Sequence, residues 1–524
     1  MRKWLPLLTV CLGTFMLLVD VTIVNVALPS MAEDLDTSFG SLQWVIDGYA
    51  LALAALLLGA GALADRRGHR PLYVLGLAVF AAASLACAFA PSATGLVVAR
   101  VVQGVGAAAM FATTFALLNS NYTGRDRGHA YGVWAAVAGA ASAAGPLLGG
   151  PLTQALTWHA IFLVNLPVCV LAIVLCAVAV EDTHAPEKRH LDLTGLVTFT
   201  ASAAAITFGL IEADEAGWSG PRSWLPTAAG AVMLALFARA ESRARVPLLD
   251  LRLLRNRVFA GVLLVSFSLS AAAFVSFTYT SIWLQSVAGL SPVSAGLVGL
   301  PMSAAAFVVS LAVGRVLHRW HAGPTIAVGL ALIGVGNLTT WFVLGRATGA
   351  AALLPGYLVV GLGVGLIAPT LNSTGMAAVP AQRGGMAAGA VNTARQLGAA
   401  FGIALLGSVF AAGVRSSLNG TTLHDPGALA TAVASGQAGS VLADAPAAAR
   451  DTIQAAFSAA AVHGIRELFL VSAVIGLVVA AVTPALIVRR PKENGRPVPS
   501  SPPARPAREN APEPGSGADA TGRP

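Results

Sequence analysis

LVDVTIVNVALPSM, residues 18–31, decides how the rest of the chain is read. It is an apolar helix interrupted by one carboxylate, Asp20, and it continues a run that starts at Leu5 and stops before the acidic cluster Glu33, Asp34 and Asp36. About two dozen mostly apolar residues are enough to cross a bilayer as a helix. Insertion scales put a central Asp at roughly 2.5 to 3.5 kcal/mol, so such a group is kept where it faces protein or water and has a partner or a task. Asp20 therefore reads as a proton-carrying group of a secondary transporter.

Composition agrees with a membrane chain. The 524 residues are 56% hydrophobic and only 11% charged, with mean hydropathy +0.74, against roughly 25% charged in a soluble globular chain. The net charge of +8 does not point to nucleic acid, because the basic residues sit in short loops between apolar runs, where they report membrane orientation. Cys11, Cys87, Cys169 and Cys176 all lie in apolar runs and read as small hydrophobes rather than disulfides or metal ligands. The first apolar run is too long for a cleavable signal peptide and should stay as the first span.

Runs of about 20 residues give fourteen expected spans, near 5–28, 42–64, 71–90, 94–118, 130–155, 160–180, 193–213, 224–240, 258–284, 294–317, 324–345, 352–377, 385–412 and 467–488. Arg66, Arg67, Arg70, Arg125, Arg127, Arg243, Arg252 and Arg255 then collect on one side, and Arg222, Arg346, Arg415, Arg450 and Arg466 on the other. The positive-inside rule makes the first side, here called the basic end, cytoplasmic, with both termini inside.

The chain also repeats. Gly61, Leu77 and Ala78 align with Gly314, Leu330 and Ala331; Arg66, Pro71 and Gly76 with Arg319, Pro324 and Gly329. With a small shift, Gly104 and Gly106 meet Gly361 and Gly363, and Gly128 and Gly132 meet Gly385 and Gly389. Spans one to six thus recur as spans nine to fourteen, which is the architecture of two pseudo-symmetric six-helix halves with a substrate path between them. The expected organisation is all-α: a first half over 1–181, an inserted helix pair over 182–250, a second half over 251–490 with an outer loop at 413–466, and a tail at 491–524 rich in Pro, Arg, Gly and Glu, expected to be disordered in the cytoplasm.

Four motifs resemble the fourteen-span drug:proton antiporters of the major facilitator superfamily: LVDVTIVNVALP at 18–29, GALADRRGHR at 61–70, RVVQG at 100–104 and GPLLGG at 145–150. WHAIFLVNLP at 158–167 and IWLQSVAGLSPVSAGLVGLP at 282–301 resemble the same family and read as structural, although His159 and Ala160 replace a common basic-aromatic pair. The resemblance implies a conformational latch made by Gly61, Asp65, Arg66, Gly68 and Arg70. An acid at a helix end can bind a neighbouring helix N-terminus or Arg in one conformation only. Part of the same loop is also explained as a plain positive-inside signal. His318 replaces Asp65 in the repeat, so one half carries the full latch. The resemblance also implies antiport through Gly145, Pro146, Gly149 and Gly150, which on their own read as small-residue helix packing with a proline-disrupted backbone.

Arg100 lies roughly 9 Å below the outer end of its span and Asp20 roughly 13 Å below the end of its own, depths compatible with pairing. Asp47 begins close to the outer surface and either joins them in one polar cluster or is hydrated from outside. The pair itself is read as proton-coupling, with a purely structural ion pair as the alternative. A nearby cation favours an ionised carboxylate and desolvation the protonated one, so rocking between wet and closed states would couple proton uptake to substrate release.

In span thirteen, Asn392, Arg395 and Gln396 share one helix face, with Arg395 roughly 16 Å from the basic end. With Asn25 and Gln103 they are the expected lining of the substrate cavity. Arg395 either binds an anionic or carbonyl-bearing substrate or caps polar groups of neighbouring helices. The sequence thus points to a proton-coupled antiporter that exports antibiotics or other small amphipathic toxic compounds across the bacterial inner membrane, acting as a monomer with protons, substrate and bilayer as its partners. A metabolite importer on the same fold and a transport-dead sensor are the alternatives. No phosphate-binding loop, metal cluster or nucleophile constellation points to an enzyme, and no cofactor is expected.

Overall fold

A chain that crosses hydrocarbon must satisfy its backbone N–H and C=O groups within each segment, so each apolar run closes its own hydrogen bonds as a helix. The computed structural model describes residues 2–487 apart from 38, 181–191, 217–219, 245–246, 248, 317–320, 347–348, 381–382, 420–428, 430–432, 434–437, 439–440 and 443–445, and it contains no strand among them. The first six expected spans are α1 (Leu5–Asp34), α2 (Phe39–Arg67), α3 (His69–Ala88), α4 (Ala93–Asn121), α5 (Gly124–Ala155) and the broken pair α6 (Ala160–Leu163) and α7 (Asn165–Ala179). α8 (Leu193–Ala216) and α9 (Pro221–Glu241) stand where the inserted pair is expected. Span nine is α10 (Arg257–Leu269), a π-helix (Ser270–Phe274) and α11 (Val275–Ser286) in one run. It is followed by α12 (Pro292–Val298), α13 (Leu300–Val316), α14 (Ala322–Leu344), α15 (Leu354–Ala377), α16 (Gly384–Leu418) and α17 (Ala447–Leu486).

Helices occupy all fourteen expected positions, and among the described residues 12 of these runs are long and apolar enough to cross a membrane. The other two expected positions hold α5 and the α12–α13 pair, in which the described apolar stretch is Leu300–Gly314. The larger difference lies at the outer segment expected as a loop. α16 continues to Leu418 and α17 starts at Ala447; the flank that α17 adds, residues 447–466, is rich in alanine, the strongest intrinsic helix former. At 40 residues, α17 is about 60 Å long, about twice the apolar thickness of a bilayer. His318, much of 413–466 and all of the tail 491–524 lie outside the described residues.

Hydrophobicity cannot choose which face of such a helix is buried, because lipid tails are as apolar as leucine; size chooses instead. In α7, Cys169, Ala172 and Cys176 are buried along with Asn165 at its start, while Val170, Val174 and Val178 face outward. Glycines carry this furthest, and they do so in pairs related by the repeat. A β-carbon on Gly104 would lie 2.9 Å from Ala52 Cβ of α2, and one on Gly361 would lie 2.9 Å from Ala305 Cβ of α13. Gly106 of α4 sits on Gly76 and Phe80 of α3 as Gly363 of α15 sits on Gly329 and Ile333 of α14. Gly132 and Gly389 meet the opposite half: a β-carbon on Gly132 would stand 2.7 Å from Gly314 Cα of α13, and one on Gly389 2.8 Å from the Leu57 carbonyl of α2.

Gly106→Val should therefore overpack the α3–α4 contact and lower stability by about 1–3 kcal/mol. Gly139→Ala, where a β-carbon finds only ordinary contacts at 3.8 Å, should leave it unchanged. Thermal unfolding of the purified variants in detergent distinguishes the two; equal Tm values would contradict this packing.

Candidate functional site

Asp20 and Arg100 meet inside the first half. Both are 0% exposed, and Arg100 Nη1 donates to Asp20 Oδ2 at 2.5 Å. Asp20 Oδ1 accepts from Gln103 Nε2 at 3.0 Å and from Asn165 Nδ2 at 2.9 Å. Gln103 Oε1 accepts from Arg100 Nη1 at 2.6 Å, and Ser84 Oγ accepts from both Gln103 and Asn165 at 2.8 and 3.3 Å. Arg100 Nε donates to the Val45 carbonyl at 2.9 Å, and its guanidinium carbon stands 4.3 Å from the centroid of Tyr49. Five helices, α1, α2, α3, α4 and α7, thus converge on one carboxylate. A buried charge survives only if paired and hydrogen-bonded, and Asp20 has both.

Two of these partners, Ser84 and Asn165, escaped the sequence reading. Asn165 was in view inside WHAIFLVNLP, where an amide in an apolar entry was the available signal. Asp47 is part-buried on α2, two residues after Val45, and is not a hydrogen-bond partner of the Asp20 carboxylate. Gln103, expected on the cavity wall, is 0% exposed in this conformation and held by Asp20, Arg100 and Ser84 within the charge network. The side chains of Asn25, Pro146 and Gly150 lie outside the described set. Gly145 packs against Thr22, two residues from Asp20, so close that a β-carbon would overlap the threonine side chain, and Gly149 is buried.

The basic end holds the second arrangement. Asp65 Oδ2 accepts from the backbone N–H of Met386 at 2.8 Å, in the first turn of α16, where unpaired amides and the helix dipole favour an anion. His69 Nε2 stands 3.7 Å from Asp65 Oδ1. Gly61 is buried, Gly68 takes φ of 99° at the turn into α3, and Arg66 points to solvent. Arg70 turns back to donate to the Ala177 carbonyl at 2.7 Å, in the last turn of α7, where a cation suits the helix C-terminus. Nearby, Arg383 Nη1 donates to Asp250 Oδ2 at 2.6 Å and ties the entry of α10 to the start of α16. Burial opposes ionisation of Asp250, but the Arg383 hydrogen bond, the Arg252 amide and the two guanidinium charges outweigh it and hold its carboxyl below the usual carboxylate range. With Gly132 on Gly314 and Gly389 on Leu57, the two halves are shut at this end, whereas further along α5 the nearest contacts of Gly139 on α13 relax to 3.8 Å.

On α16, Asn392 is buried and its Nδ2 donates to the Phe111 carbonyl of α4 at 3.4 Å, so in this conformation it closes the seam between the halves rather than lining an open cavity. Arg395 and Gln396 are part-exposed. The second half has no copy of the charge pair. Tyr357 stands four residues before Gly361 as Arg100 stands four before Gly104, and Asn337 stands eight after Gly329 as Ser84 stands eight after Gly76. Both are buried, and Asn337 Nδ2 donates at 2.9 Å to the Ala272 carbonyl of the π-helix in span nine.

Comparison with known proteins agrees with these features. The family model described as the Major Facilitator Superfamily matches residues 10–403. The chain is 36% identical over 415 residues to the multidrug resistance protein Stp of Mycobacterium tuberculosis, covering 79% of this chain and 77% of that one. It is 35% identical over 486 residues to the multidrug efflux pump LfrA of Mycolicibacterium smegmatis, covering 92% and 95%. Among solved structures, the proton:xylose symporter XylE superposes with a TM-score of 0.58 over 92% of this chain and 94% of that one at 13% identity, a likeness of fold.

Removing one member of the buried pair strands the other, so Asp20→Asn and Arg100→Met should each cost about 3–5 kcal/mol. The double variant should cost clearly less than their sum, as thermal or denaturant unfolding would register; simple additivity would dissolve the pair. Asp250 has a depressed folded-state pKa, so its contribution is present above the unfolded value near ~3.9 and is lost as pH falls through the lower folded one. The stability difference between wild type and Asp250→Asn should stay constant from about pH 8 to 5 and shrink only in stronger acid.

Proposed function

The chain belongs to the Major Facilitator Superfamily, and from that premise we propose that it exports antibiotics or other small amphipathic toxic compounds from a bacterial cell in exchange for protons. It is a transporter rather than an enzyme. Relatives at about 35% identity over most of the chain carry the names of multidrug and antibiotic efflux proteins, which supports the substrate class. The observation that carries the proton is Asp20, a fully buried carboxylate whose charge is cancelled by one guanidinium and whose remaining acceptor sites are filled by neutral amides.

Such a group exchanges protons only when the bundle opens. Protonation of Asp20 removes one charge of the pair and leaves Arg100 to its neutral neighbours, so the proton acts on α1 and α4 together. α4 also touches α16 through Phe111 and Asn392, which connects the proton site to the helix that bears Arg395. The Asp65 carboxylate on the α16 N-terminus is the latch of the shut basic end, and opening that end to load substrate requires its release. In this reading Gly61, Gly68 and Arg70 shape the latch loop, Gly145 keeps α5 against α1, and Arg395 and Gln396 face the substrate. The protein sits in the plasma membrane as a monomer with the basic end and both termini in the cytoplasm, an orientation supported by the arginine asymmetry.

Cells expressing the wild type should accumulate less of a fluorescent amphipathic dye than cells without it, and an uncoupler or Asp20→Asn should restore accumulation. A dye deficit that survives both treatments would remove the proton from the mechanism. Inward movement of substrate down the same gradient would favour import.

A further inference from the structure

Within the transmembrane bundle, Asp20 and Arg100 cancel each other inside the first half. Arg395 has no such neighbour. Its guanidinium makes no ion pair or hydrogen bond among the described residues, and its Nε is buried without an acceptor. Its direction follows from the helix. Three residues turn an α-helix to within about 60° of the starting direction, so Arg395 points midway between Asn392 and Gly398. Asn392 faces the Phe111 carbonyl of α4, and Gly398 packs on the backbone of Phe267 in α10. Arg395 therefore aims between the two halves, at the space between α4 and α10. It is part-exposed although α16 is surrounded by α2, α4, α8, α10 and α17, so the side chain opens on an internal space.

An uncompensated guanidinium in a low-dielectric interior is costly and calls for a counter-charge. We infer that the transported compound supplies it: Arg395 anchors an acidic group, a carboxylate or the planar enolate of a β-dicarbonyl, whose two oxygens match the guanidinium fork. The inference rests on the export reading above and names its substrate class as organic anions. It has an electrical consequence. Expelling one anion while admitting one proton moves two elementary charges in the same sense, so an inside-negative potential and an inward proton gradient drive the same step.

The test uses rhodamine B, which carries a free carboxylate, and its ethyl ester, which shares the ring system but lacks that anion. Binding of each to the full-length protein in nanodiscs is followed by fluorescence anisotropy against empty nanodiscs. The acid should bind at least tenfold more tightly than the ester; Arg395→Gln should abolish that ratio and Arg395→Lys keep part of it. Equal or tighter binding of the ester, no saturable binding of the acid, or a ratio unchanged in Arg395→Gln would overturn the assignment. The wild-type comparison of acid and ester stands even if Arg395→Gln fails to fold. Proton-driven efflux of the ester without an acid preference would sink this inference and spare the export reading; an acid preference without proton-driven efflux would do the reverse.

Discussion

One carboxylate that cannot reach water sets the terms for the first half of this protein. Asp20 sits on the first helix, and its negative charge is tolerable only because four other helices deliver Arg100, Gln103, Asn165, Ser84 and the Val45 carbonyl to the same place. The glycines at 104, 106 and 145 follow from that demand. Hydrogen bonds near 3 Å among five helices require backbones at close approach, and only residues without a side chain allow it. Polar satisfaction and small-residue packing are thus two sides of one constraint, since neither could be met if the other failed.

The same reasoning explains the asymmetry between the halves. The repeat preserves the glycine contacts, which are required by geometry, but it does not preserve the charges. Where the first half places Arg100 and Ser84, the second places Tyr357 and Asn337. Neutral groups need less help: Asn337 spends its donor on a carbonyl that the π-helix leaves available, and no converging network has to form around it.

Much of this was legible in the sequence, and the reasons are specific. The all-helical fold follows from apolar run length, with 12 runs among the described residues long and apolar enough to cross a membrane, and the Asp20–Arg100 pair from depth along two helices. Asp65 at a helix end announced an acid that could cap a neighbour, and Met386 proved to be the amide it reaches. Run length and depth do not report the azimuth of a side chain. The bonds of Gln103 within the charge network were therefore not legible, and Ser84 and Asn165 passed unnoticed among apolar neighbours. The start of α17 at Ala447 lies well before the expected span, because an alanine-rich segment is equally compatible with a loop by hydropathy and with a helix by propensity.

The glycine contacts at the basic end have a consequence for the cell's energy supply. Gly132 lies against Gly314, and Gly389 against Leu57, with main-chain atoms of the two halves touching and no side chain between them. A seam of that kind leaves no room for a file of water molecules, which needs space and polar partners to persist. A transporter closed in this way gives ions no aqueous leak along that seam while it is shut, so a gradient held across the membrane is not drained through it.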